Sequence, residues 1–136
     1  MYLVDTSVWV DFLRGSDTPQ VAILKVLLDS EGVVGIAPII LQEVLQGADT
    51  DERFEKWRTY FEGLCCYAPA DPLASHIAAA RLYQACRRVG KTPRSSNDCL
   101  IARIAIEEGL MLLHNDRDFR IIAAVMPGLR LYPEKL

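Results

Sequence analysis

Four acids fall where short apolar runs end or within partly apolar helix faces. They are Asp5 in "LVDTSVW", Glu43 in "IILQEVLQG", Asp98 in "SSNDCLIARIA" and Asp116 in "LMLLHND". Carboxylates drawn together raise one another's pKa unless a cation neutralises them. An all-oxygen set without cysteine or histidine selects a hard ion, Mg²⁺ or Mn²⁺. Such an ion suits phosphate chemistry, because it activates water and stabilises a leaving oxygen. Each acid also has a plainer reading alone. Asp5 and Asp116 could cap the helices that follow them, Glu43 could simply face solvent, and Ser95 with Asp98 could form a capping box. The metal reading depends on all four converging.

Helical spacing favours convergence for two of them. Ile39, Ile40 and Gly47 share the face of Glu43, so its carboxylate leans over partly apolar surface. Ile101, Ala102 and Ala105 share the side of Asp98, while Arg103 and Glu107 mark the opposite, wet side.

Four apolar runs, "YLVD", "VVGIA", "LMLLH" and "LRLY", read as buried strands, and "CCYA" as a short connecting segment. The intervening stretches read as helices. The first runs to about Leu13 and stops at Gly15, with Thr6 as its cap if Asp5 serves the site. Others span Thr18 to Asp29, Pro38 to Gly47, "TDERFEKWRTYFEGL", Pro72 to about Val89, "NDCLIARIAIEEG" after Ser95 or Ser96, and "DRDFRIIAAV". Phe54, Trp57 and Phe61 form an aromatic stripe that reads as core rather than as a base-stacking platform. Strands alternating with helices imply one α/β domain over residues 1–136, built on a mostly parallel sheet. Ligands in such sheets bind beyond the carboxyl ends of the strands.

Composition agrees with a packed domain: 136 residues, 51% of them hydrophobic and 24% charged, exclude a disordered chain. No apolar stretch reaches membrane-spanning length and no leader pattern opens the chain, so the expectation is a cytoplasmic protein. Cys65, Cys66, Cys86 and Cys99 lack zinc spacing and read as buried reduced thiols. His76 and His114 read as structural. The net charge is −3, yet no acid occurs from Pro72 to Asn97, where Arg81, Arg87, Arg88, Lys91 and Arg94 lie. By itself such a run is a solvated face; leading into Asp98, it becomes a candidate phosphate contact.

Together "LVDTSVWVDFLRG", "LQEVLQG", "SSNDCLIARIA" and "HNDRDF" resemble the four acidic motifs of PIN-domain ribonucleases, in particular the VapC-type toxins of toxin–antitoxin pairs. The resemblance implies a three-layer α/β/α fold. It implies that Asp5, Glu43, Asp98 and Asp116 hold one or two Mg²⁺ or Mn²⁺ ions, with Glu43 either ligating or orienting water. Thr6, Ser95 or Ser96, and Asn115 would be supporting polar groups; Asp118 would be a ligand, a supporting group or a helix-start charge. It further implies endonucleolytic cleavage of RNA, tRNA or rRNA, leaving a 5′-phosphate and a 3′-hydroxyl, with Arg87, Arg88, Lys91 and Arg94 near the phosphates. The implied assembly is a homodimer wrapped by a VapB-like antitoxin, for which "TPQVAILKVLLDS" and "ERFEKWRTYF" offer apolar surface. A PIN-like module that binds RNA or protein without cutting is the alternative, and the four filled acidic positions weigh against it. A haloacid-dehalogenase-like phosphatase or a receiver domain fits poorly, since a second aspartate near Asp5 and a late lysine are missing.

Overall fold

Leu3 and Val4, fully buried, make β1 (Tyr2–Val4) the centre of the sheet. In the computed structural model, which describes residues 1–134, the chain continues through α1 (Thr6–Leu13), α2 (Pro19–Leu28), β2 (Val34–Ile36) and α3 (Pro38–Leu45). It then forms α4 (Asp51–Glu62), β3 (Cys65–Cys66), α5 (Pro72–Arg88) and α6 (Asn97–Glu107). The last elements are β4 (Met111–Leu113), α7 (Asp118–Val125) and β5 (Arg130–Tyr132). The five strands are all parallel in the order β3-β2-β1-β4-β5. Strands covered on both faces need continuous apolar runs, which is why Val34, Ile36, Leu112 and Leu113 are buried like β1.

Helix starts follow local chemistry. Thr18, Thr50 and Asp71 each accept a backbone N–H three residues on, and Pro19, Pro38 and Pro72 occupy first-turn positions where a missing N–H costs nothing. Helix α1 packs on α2 and α3, and α3 on α4, while α5, α6 and α7 pack together. Right-handed crossovers from β1 to β2 and from β4 to β5 run in opposite directions, which puts these groups on opposite sheet faces. The result is the three-layer α/β/α arrangement with a wholly parallel sheet.

Three sequence expectations change. The segment "CCYA" contributes an edge strand: Cys65 and Cys66 pair with Gly35 and Ile36, and both thiols are exposed rather than buried. A side chain at Gly35 would collide with the Tyr67 ring, so the close approach of that edge requires glycine. The aromatic stripe divides: Phe61 is fully buried, its ring edge-on to Trp9 at 4.9 Å, whereas Phe54 is exposed. Cys86 and Cys99 are buried as expected. No helix among the described residues is long and apolar enough to cross a membrane.

Candidate metal centre

With β1 central, the chain leaves it toward β2 on one side and reaches β4 on the other. The carboxyl ends of β1 and β4 therefore flank the topological switch point where α/β sheets bind ligands. A cleft of about 370 Å³ opens there, lined by Asp5, Thr6, Ser7, Glu43, Arg94, Ser95, Asp98, Asp116 and Asp118. Asp5 follows β1, Glu43 comes from α3, Asp98 from the first turn of α6, and Asp116 from the β4–α7 turn. One helix layer supplies Glu43 and the other Asp98, so the acids meet across the sheet edge.

Each carboxylate is held differently. Asp5, 4% exposed, is itself the cap of α1: its Oδ2 accepts from the Ser7 N–H at 3.0 Å and the Ser7 hydroxyl at 2.6 Å. This replaces Thr6 as the expected cap. Thr6 instead donates to Glu43 Oε1 at 2.8 Å. Asp98, 9% exposed, stands on α6 with no capping box; Ser95 Oγ accepts from the Asn97 N–H, and Ser96 makes no side-chain cap bond. Asn115 donates its backbone N–H to Ser7 Oγ and its side-chain amide to Asp11, tying the end of β4 to α1.

The fourth acidic stretch is a small network of its own. Asp116 Oδ1 accepts from the Asp118 N–H at 3.0 Å and from Arg94 at 2.8 Å. Asp118, 3% exposed, accepts both the Arg94 backbone N–H at 2.9 Å and its Nε at 3.0 Å through one oxygen. Behind them, fully buried His114 brings Nδ1 against the Asp116 backbone and pins that turn. Arg94 thus turns into the acidic cleft, where the charge run had suggested a phosphate-facing side chain. His114, read from the sequence as structural, has that role here. Ser7 was not singled out by the motif reading, although the Asp5-x-Ser7 spacing carried a signal for it, since short polar side chains bond backbone two residues on.

Electrostatics follow from this crowding. Burial pushes Asp5 up to about 6, against the lowering by its Ser7 bonds, and the Glu43 charge adds to the rise. Burial pushes Asp98 up to about 7, and Asp5, Asp116, Glu43 and Asp118 all push the same way. For Asp118 burial also raises the pKa, but the Arg94 bonds and charge outweigh it and leave it lowered. Carboxyl oxygens of Asp98, Asp116 and Asp118 lie within 4.8 Å of one another, close enough to share an ion. Among the described residues the cleft lining holds carboxylates, hydroxyls and one guanidinium but no thiol or imidazole, a donor set suited to a hard divalent cation. Asp118, rather than only the four motif acids, belongs to its tightest part.

A family model described as PIN domain matches residues 2–125. The chain belongs to the PIN-domain family. Among PIN domains it is 36% identical over 126 residues to the VapC ribonuclease Mb1587 of Mycobacterium bovis, covering 92% of this chain and 93% of that one. It matches Ribonuclease VapC11 of Mycobacterium tuberculosis to the same extent. The fold recurs in the crystal structure of VapBC2 from Rickettsia felis bound to a promoter DNA fragment, with TM-score 0.72, 21% identity and 96% of each chain covered. It recurs in VapBC-1 from nontypeable Haemophilus influenzae, with TM-score 0.70, 18% identity, and 96% and 95% coverage. The resemblance to VapC-type PIN domains read from the four motifs therefore stands.

Proposed function

We propose that this PIN domain is a Mg²⁺- or Mn²⁺-dependent endoribonuclease, the toxin of a cytoplasmic VapBC-like toxin–antitoxin pair. The observation that carries the reading is the meeting of Asp5, Glu43, Asp98 and Asp116, from four separate elements, in one cleft at the switch point. Identity to VapC ribonucleases over nearly the whole chain supports it. Asp5, Asp98 and Asp116 would hold the ion, with Asp118 beside them. When bound, the ion would supply charge neutralisation and Lewis acidity for hydrolysis of a phosphodiester. The protein's own groups prepare that site. Ser7 fixes Asp5 through Oδ2. Thr6 fixes Glu43 through Oε1, leaving Oε2 to accept a hydrogen bond from an attacking water. Ser95 and Asn115 shape the surrounding turns.

Arg87, Arg88 and Lys91, exposed at the end of α5 and in the loop toward α6, are the groups proposed to meet RNA phosphates. A groove of about 620 Å³ between α1, α3 and α4, lined by Val10, Leu13, Val44, Arg53, Lys56 and Trp57, is the proposed seat of the antitoxin segment. Leu73 and Ile77, exposed one turn apart on α5, are proposed for the homodimer face.

The test is incubation of antitoxin-free protein with total RNA and Mg²⁺ or Mn²⁺, mapping new 5′ ends. Cleavage that chelation stops and Asp5→Asn or Asp98→Asn abolishes is expected; full activity in either folded variant would overturn the assignment. One observation favours a non-cutting module instead: Arg94 already engages Asp116 and Asp118. Saturable RNA binding with no metal-dependent cleavage would select that reading.

A further inference from the structure

Arg94 makes two ion pairs of unequal character. Its pair with Asp118 is anchored twice, because the backbone N–H at 2.9 Å and Nε at 3.0 Å meet the same buried oxygen. Its pair with Asp116 is a single bond from one terminal nitrogen at 2.8 Å to a half-buried carboxylate. The Arg94 side chain is 67% exposed, so its guanidinium can move into solvent while the backbone bond to Asp118 stays. Among the described residues lining the cleft, Arg94 alone is cationic, set against Asp5, Glu43, Asp98, Asp116 and Asp118. The two acids it bridges are two of the three whose oxygens are close enough to share an ion.

We infer that Arg94 is a resident counter-cation of the acidic cluster, a positioning residue that competes with the divalent ion for Asp116. This rests on the metal reading of the cleft. With no ion bound, its charge offsets the repulsion among the carboxylates and keeps Asp116 and Asp118 on the near side of the β4–α7 turn. An arriving divalent ion takes over the same neutralising role, and repulsion between the two cations releases the guanidinium from Asp116. The backbone clip from Arg94 to Asp118 persists, so the loop before α6 stays docked in either condition. The site thereby tolerates a period without metal, at the cost of weaker metal affinity than its acid count would give.

The consequence is opposite to that of an ordinary supporting residue, whose removal weakens binding. Replacing the guanidinium should leave the cluster more negative and Asp116 held only by the Asp118 N–H, so metal binds more tightly. The experiment is Mn²⁺ titration by calorimetry, with metal-free and Mn²⁺-loaded melting temperatures, on the wild type, Arg94→Gln and Arg94→Lys. Arg94→Gln should bind Mn²⁺ roughly tenfold more tightly, with the gain shrinking as salt rises. Its melting point should fall only in the metal-free form. Arg94→Lys keeps the charge without the planar fork and should lie near the wild type in affinity. Unchanged or weaker Mn²⁺ binding by folded Arg94→Gln would overturn the competition. If the wild type itself binds no Mn²⁺, the metal reading fails and the competition with it, a result distinct from a wild type that binds and a variant that does not improve.

Discussion

Thr6 Oγ1 donates to Glu43 Oε1 at 2.8 Å, joining the first turn of α1 to the middle of α3 across the cleft. The bond fixes Glu43, the acid that the helix layer of α1 and α3 supplies. Thr6→Val keeps the shape and removes the donor. We expect RNA-cleavage turnover to fall about tenfold with little change in KM, a loss of about 1.4 kcal/mol in the activated complex. Thr6→Ser should retain most of the rate. An unaltered turnover number in Thr6→Val would mean that Glu43 needs no fixing.

Asp98 and Asp5 give the metal-free protein a definite pH dependence. Both folded pKa values, about 7 and about 6, lie above the ordinary 3.8. Their contribution is therefore complete below about pH 4 and is lost as pH rises through the folded values. Burial lowers the pKa of His114, which works in the opposite direction, so the informative measurement is a difference. In chelator, Asp98→Asn should gain stability over the wild type by roughly 2 kcal/mol between pH 5 and pH 8, read from urea unfolding. A constant difference across that range would place the Asp98 pKa near its ordinary value.

Ser7 serves two partners at once, donating to Asp5 Oδ2 and accepting from the Asn115 N–H. Ser7→Ala should cost about 1–2 kcal/mol of stability, since buried Asp5 loses a donor while the exposed Asn115 N–H turns to water. Mn²⁺ affinity should fall with it, because Asp5 and the end of β4 lose their common tie. Urea unfolding and calorimetry measure the two effects separately.

The basic run at the end of α5 is tested by charge reversal. Arg87→Glu with Lys91→Glu should raise KM for RNA several-fold and flatten its dependence on salt, while the turnover number changes little. Mn²⁺ affinity, measured alongside, should stay as in the wild type. An unchanged KM would make the run a solvated face.

Much of the architecture could be read from the residues because the sheet is buried on both sides. "LMLLH" and "VVGIA" have no polar alternation to mislead, and glycine or proline marks several helix boundaries. Asp98 stood out because its helix neighbours Ile101, Ala102 and Ala105 are all buried. "CCYA" escaped because a two-residue edge strand with exposed side chains has too little periodicity to register. The cap of α1 was misassigned for a chemical reason: a carboxylate has two oxygens, so Asp5 can cap with Oδ2 and still present Oδ1. Arg94 was hidden by distance. Local charge patterning sends residue 94 to solvent, and only the fold brings it against Asp116 and Asp118.

The strand order has a consequence for synthesis. β1 is made before the other four strands of the sheet, yet one of its two neighbours is β4, which begins at Met111. Asp5 therefore waits, while every element from α1 to β4 is made, for Asp116 to arrive beside it. A nascent polypeptide still threaded through the ribosome holds Asp5, Glu43 and eventually Asp98, but its cleft lacks the wall that β4 and the β4–α7 turn provide. The chain's chemistry is thereby timed by its topology: the acidic centre cannot assemble until β4 and the turn after it have left the ribosome.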